Sequence, residues 1–276
     1  MLIYFYRISL VSVSSPDSFG SLDRFGNPYT REAWLREYFS QTRTFTHRGN
    51  EFAFVPEAET KAPRNLIIGW IARPKLLSER TPPSMGFEPT EHSSWRGSLI
   101  IIDPSSHEDG QKIAMEYRTD VGKPTPVLVT LAAEMRIGEH PRPFDVQIHP
   151  IVEASSFWKF AEAHDFQIDL ITFDSATPNM FSGSDEYSKA LRKVRNENRV
   201  SRVRSTLVSD TTIDVQRENI MEIVEYNERG AGDIRARTKS RKYYNSKNHV
   251  RHERVETEQG SENFWVKIID WLGQRF

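Results

Sequence analysis

The feature that most constrains the fold is a change of periodicity near residue 152. Before it, short apolar segments separated by turn residues dominate, the pattern of successive strands. After it, helix-like and strand-like segments alternate. The order predicts an α+β fold. A β-rich N-terminal half with one helix is followed by an alternating helix/strand C-terminal layer. The expected division is 1–152 as a β-rich N-terminal region and 153–276 as an α/β C-terminal region with a basic surface, with one continuous domain as the alternative.

In the first half, Leu2–Val13 is rich in β-branched and aromatic residues and reads as a strand. Thr30 caps a helix through about Gln41, with Trp34, Leu35, Tyr38 and Phe39 on one face. Further strands are expected at Glu51–Val55, Asn65–Ala72, Gly97–Ile102, Lys112–Tyr117, Pro126–Ile137 and Phe144–Ile151. Prolines and weak periodicity make Ser78–Ser94 a long loop. In the second half, Ser155 or Ser156 starts a helix and Phe166–Phe173 is a strand. Ser184 starts a helix with Tyr187, Ala190, Leu191 and Val194 at helical spacing. Ser201–Val208 and Ile234–Thr238 alternate as strands, with a helix before Gly230 between them. A last helix is expected from Ser261, with Phe264, Ile268, Trp271 and Leu272 on one face.

Composition narrows the chemistry. The chain has no cysteine, which excludes thiolate metal sites, thiol nucleophiles and disulfides. No apolar run reaches the length of a membrane-spanning helix, and Met1–Val13 alternates instead of forming a signal sequence. A cytoplasmic protein without membrane contact is expected, and a homo-oligomer.

The formal net charge of −1 conceals segregation. Lys189 to Arg204 contains seven basic residues against Glu197, and Arg229 to Arg254 contains nine against Asp233 and Glu253. Together these stretches carry +13, leaving −14 on the rest of the chain. Arg235, Arg237, Lys239 and Arg241 occupy every second position, which a strand places on one face. Cations neutralise phosphates and neighbouring tyrosines stack on unpaired bases. The expected nucleic-acid contacts are Arg192, Lys193, Arg195, Arg202, Arg204, Arg235, Arg237, Lys239, Arg241 and Lys242, with Tyr243 or Tyr244 stacking. Either DNA or RNA fits. The bland alternative is that these charges form solvated faces or pair with the protein's own acids.

Other constellations are thinner. Glu57, Glu59 and Lys61 form the acid-x-lysine triplet of many metal-dependent nucleases, in which acids hold the metal and the lysine stabilises phosphate charge. No acidic residue occurs from Leu2 through Pro16 to complete it. His249 and His252 share a helical spacing, but their basic surroundings oppose a dication. His140 and His149 read as ordinary surface or core histidines. Gly230-Ala231-Gly232 follows a helix and reads as its cap, not as a dinucleotide turn. Asn179 suits a turn after the Phe166–Phe173 strand. No metal or cofactor is expected, and catalysis is left open, leaning against it, with a nuclease as the enzymatic alternative. A third reading is a protein-interaction subunit using Trp265, Trp271 and Phe276.

The strand ending in Pro-Asn (Leu170–Asn179), the basic helix running into Arg202–Asp210, the E-R-G-A-G turn and Ser246–His249 together resemble a family of bacterial proteins of unknown function from phage-defence and mobile-element gene neighbourhoods. Tyr4-Phe5-Tyr6 and Asp103-Pro104 fit the same outline. More distantly, the arrangement is similar to the DNA-binding component of the Kiwa anti-phage system. Relatives usually carry Arg before the Pro-Asn pair, where this chain has Thr177. The resemblance implies anti-phage defence by nucleic-acid binding, with a protein partner from a defence operon, and supplies no catalytic residues.

Overall fold

The computed structural model describes residues 1–12, 30–58, 65–105, 111–137, 144–153, 155–177, 186–198 and 200–256. The elements, in chain order, are β1 (Leu2–Ser12), α1 (Arg31–Tyr38), β2 (Arg43–His47), β3 (Asn50–Pro56), β4 (Ile67–Arg80), β5 (Pro89–Asp103) and β6 (Gln111–Glu116). They continue with α2 (Pro124–Ile137), β7 (Phe144–Pro150), α3 (Ser156–Glu162), β8 (Ile168–Ala176), α4 (Glu186–Asn198), β9 (Arg202–Val208), α5 (Glu218–Tyr226), β10 (Gly232–Thr238), β11 (Tyr243–Asn245) and β12 (His252–Arg254). The mixed, strand-rich content fits the expected α+β class.

Two antiparallel sheets organise these elements. The larger runs β12-β1-β6-β5-β4-β3-β2, with β7 also paired to β1. One of its faces carries Tyr6, Ile8, Leu10, Phe52, Phe54, Ile100 and Met115, packed with Trp34 and Leu35 of α1 and Leu128 and Leu131 of α2. The opposite face carries a second apolar cluster around Ile3, Phe5, Ile68, Leu99 and Ile101. Burial on both faces explains why Leu99–Ile102 is apolar without alternation. The smaller sheet runs β11-β10-β8-β9, and its core packs Phe157 and Ala161 of α3 and Ile220 and Val224 of α5 against Ile171, Phe173 and Ile234.

Three sequence expectations are corrected. Pro126–Ile137 lies in a helix, not a strand, so the N-terminal half holds two helices. Its β-branched residues suggested a strand, but Val127, Leu128, Leu131, Ala132 and Met135 are buried at helical spacing. Pro124 and Pro126 sit in the first turn, where their missing N–H groups cost nothing. Ser78–Ser94 is not a long loop. It forms most of the outer part of the β4–β5 hairpin, whose strands pair from Ile67–Ile102 out to Arg80–Pro89. Beyond Ala72 and Gly97 the two strands pair only with each other, so both faces meet solvent and the sequence carries no alternation. His249 and His252 do not share a helix, because a short turn over Ser246–Asn248 leads into β12.

The large sheet draws on both sides of residue 152, since β12 pairs with the start of β1. Val152 bridges Val250, and the Arg251 N–H bonds the Ile151 carbonyl at 2.7 Å. The Asn179 turn, Glu59, Lys61, His140, the start of the helix at Ser184 and the expected helix from Ser261 with Trp265, Trp271 and Phe276 lie outside the described residues. Among the described residues, no helix is long and apolar enough to cross a membrane.

Candidate nucleic-acid interface

Alternation along β8 divides the small sheet. Ile171, Phe173 and Ser175 turn toward the helices, and Leu170, Thr172 and Asp174 turn to the other side. Register extends that second face across the neighbours. Thr172 aligns with Arg235 and Thr206, Asp174 with Asp233 and Arg204, and Leu170 with Arg237 and Val208. Arg237 in turn aligns with Tyr243. Arg202, Arg204, Arg235, Arg237 and Tyr243 therefore share one face. Thr206, Val208, Arg204, Arg235 and Tyr243 are exposed on it, and Thr172 and Thr206 join their hydroxyls at 3.2 Å.

The cations on this face are not equivalent. Arg204 donates from Nε and Nη2 to Asp174, at 3.1 and 2.7 Å, and Arg202 donates to the other oxygen of Asp174. Arg202 Nη2 also stands 3.8 Å from Asp233. Arg237 forms a two-pronged pair with Asp169 at 3.0 and 2.8 Å. That hydrogen bond, foremost, lowers the Asp169 pKa and raises that of Arg237. Arg235 is exposed and has no ion pair among the described residues. β10 ends at Thr238, so Lys239 and Arg241 do not continue the strand face of Arg235 and Arg237 as their spacing predicts; with Lys242 they are exposed in the turn between β10 and β11.

At its inner end the face meets the large sheet. Asp233 is buried; Lys247 Nζ lies 3.0 Å from Oδ2, and His149 Nδ1 of β7 lies 3.8 Å from Oδ1. Burial alone would push the Asp233 carboxyl up, but His149 and Lys247 bring it down to about 2.

Two expected contacts are corrected. Tyr244 cannot stack on a base, because it is 2% exposed. It packs edge-on to Phe157 and shares a 2.7 Å hydrogen bond with Ser156. Adjacent strand positions face opposite ways, so Tyr243 is outside, at 72% exposure, because Tyr244 is inside. Secondly, the first basic stretch meets the second only in part: Arg202 and Arg204 share the face of Arg235 and Arg237, whereas α4 does not. Leu191 of α4 packs with Val203, Tyr226 and Ala231, on the side of β9 opposite Arg202 and Arg204. Arg192, Lys193 and Arg195 therefore belong to the helical side of the sheet. Lys193 lies 4.0 Å from Glu197, and Arg195 is half-buried with its pKa lowered by burial.

The remaining candidates among the described residues make structural contacts. Glu57 accepts the Trp70 indole N–H at 2.8 Å. His249 stacks on Tyr244, and His252 stacks on Tyr4. Among the described residues, no three His, Asp or Glu side chains gather as a metal site. Asp169, Asp174 and His149 are partners in this region that the charge pattern of the sequence does not single out. An acid inside the largely apolar run from Phe166 to Phe173, and another immediately after it, is the available signal. Comparison with family models, curated proteins and solved structures finds no match to this chain.

Proposed function

We propose that this protein binds a single strand of nucleic acid across the open face of the small sheet. The observation that supports this most directly is the placement of Arg202, Arg204, Arg235 and Arg237 on one face with exposed Tyr243. Asp174 and Asp169 pair with three of the arginines, as the bland alternative anticipated, which offsets part of their charge while reducing the side-chain entropy lost on binding. Among the described residues Arg204 keeps Nη1 uncommitted and Arg235 keeps its whole guanidinium. Tyr243 supplies a stacking surface, and the Thr172 and Thr206 hydroxyls supply polar contacts. The turn carrying Lys239, Arg241 and Lys242 extends the same strand's cationic track. Backbone contacts of this type give affinity with little sequence preference. The resemblance noted above places this activity, as a proposal, in bacterial phage defence or mobile-element biology.

Fluorescence anisotropy with labelled single-stranded DNA, single-stranded RNA and duplex DNA tests the reading. With about three phosphates neutralised, affinity for a single strand falls about 100-fold between about 50 and about 500 mM salt. Arg235→Glu and Tyr243→Ala weaken binding, whereas Lys193→Glu, on the helical side, leaves it nearly unchanged. No binding at low salt, or equal sensitivity to Lys193→Glu and Arg235→Glu, overturns the assignment to this face.

A second reading, a protein-interaction subunit, is favoured by the β4–β5 hairpin, whose outer part leaves Leu76, Met85, Phe87 and Trp95 exposed. Sedimentation of the wild-type chain and of Leu76→Ser/Trp95→Ser over a range of concentrations tests self-association there. A wild-type mass that stays monomeric removes a second copy as the partner.

A further inference from the structure

A cavity of about 750 Å³ opens where the end of β7 approaches α5, away from the open sheet face. Trp158 and Met221 supply its apolar lining, and Glu153, Glu225, Glu228, Arg229 and Arg251 its charged groups. Most of these charges are already matched. Arg229 is bonded to Glu225, Arg251 to Glu253 at 2.7 Å, and Glu153 lies 3.9 Å from Lys159. Glu228 differs. It is half-buried and has no ion pair among the described residues; its carboxylate lies against the start of α3, where the Phe157 N–H, at a long 3.4 Å, and the Ser155 N–H bond to it. A carboxylate withdrawn from water without a counter-ion is costly, and a ligand that brings positive charge offsets the cost.

We propose that this cavity binds a small organic cation, an amine or guanidinium on an apolar body, with Glu228 as its counter-ion and Trp158 as its aromatic wall. An indole face attracts a cation, and Met221 accommodates the apolar body. The charge that lacks a counter-ion is negative, so a phosphate-bearing ligand is disfavoured even though two arginines line the cavity. The cation can be a free small molecule or an arginine side chain of a peptide, since both present the same group. The proposal is independent of nucleic-acid binding on the open face.

Burial, foremost, raises the Glu228 pKa, with the Glu225 charge adding to it, while the Phe157 and Ser155 N–H groups oppose the rise. The other charged or titratable groups around it are Glu153 before α3, Lys159 on α3, Arg229, Arg251 and the Tyr244 hydroxyl. Cation binding therefore strengthens as pH rises through the Glu228 pKa and releases a proton below it.

Calorimetric titration of the full chain with benzamidine and agmatine tests the site, with benzamide and benzoate as neutral and anionic counterparts. Saturable binding of a cation is expected, about tenfold or more tighter than benzamide, and no binding of benzoate. Glu228→Gln reduces cation affinity about tenfold, and Trp158→Leu reduces it several-fold. Acetyl-Gly-Arg-Gly-amide distinguishes the sources: tighter binding than agmatine assigns the site to a peptide, and weaker binding to a free cation. Should Glu228→Gln fail to fold, the wild-type pH profile decides. Affinity unchanged between about pH 4 and about pH 7 overturns the proposal. So does binding of benzoate equal to that of benzamidine, absence of binding by both cations, or a folded Glu228→Gln with wild-type affinity.

Discussion

Asp233 on β10 faces His149 on β7 across the junction of the two sheets, with Oδ1 and Nδ1 3.8 Å apart and both side chains buried. Lys247, 3.0 Å from the same carboxylate, completes the contact. The folded Asp233 pKa of about 2 lies below its ordinary value of 3.8, so its ionised form favours folding. The contribution is complete above the unfolded value and is lost as pH falls through the folded one. Urea unfolding between about pH 5 and about pH 2 therefore shows a loss of about 2 kcal/mol from this residue. Asp233→Asn lowers stability near neutrality and flattens that dependence.

Among the described residues Arg235 has no ion pair, while Arg204 is tied to Asp174. Arg235→Ala is expected to leave unfolding free energy within about 0.5 kcal/mol of wild type. The same variant lowers single-strand affinity and reduces the slope of log affinity against log salt by about 0.7. Denaturant titration and anisotropy on one preparation check both outcomes.

Tyr243 and Tyr244 separate by burial. Tyr244→Phe removes the hydrogen bond to Ser156 and leaves a buried hydroxyl without that partner, costing about 1 to 2 kcal/mol. Tyr243→Phe, at an exposed position, leaves stability unchanged. Chemical denaturation of the two variants makes the comparison.

Gly232 lies where no side chain fits. An added Cβ falls 2.0 Å from the Asn227 Oδ1 and 2.4 Å from the Asp174 carbonyl oxygen. Both atoms belong to the packed junction of α5, β8 and β10. Gly232→Ala is expected to lower the melting temperature sharply, at a cost of about 3 kcal/mol.

The α2 helix gives a test of register. Leu128 is fully buried and Val129 is 46% exposed. Leu128→Ala costs about 3 kcal/mol, whereas Val129→Ala is neutral or slightly stabilising because alanine favours an exposed helical position. A strand in this segment would alternate its buried positions instead, so equilibrium unfolding of the pair distinguishes the two conformations.

Local pattern was sufficient for much of the fold. Thr30 before Trp34 and Leu35 announced α1, and its hydroxyl accepts the Ala33 N–H at 3.1 Å. The alternation of Arg235 and Arg237 announced their shared face. Pattern failed for two different reasons. The outer β4–β5 hairpin is solvated on both sides, so no alternation marks it. In α2, burial against the large sheet outweighed the β preference of Val127, Val129 and Thr130.

By itself the sequence determined the α+β class, the absence of thiol chemistry and the concentration of positive charge in two stretches. Only the tertiary structure decided which cations meet. It placed α4 behind β9, Arg202 and Arg204 on Asp174, and Arg237 on Asp169. The physical reason is range. Side-chain alternation is set by neighbouring residues, whereas an ion pair between positions 174 and 204 depends on strand register and on which face each helix covers.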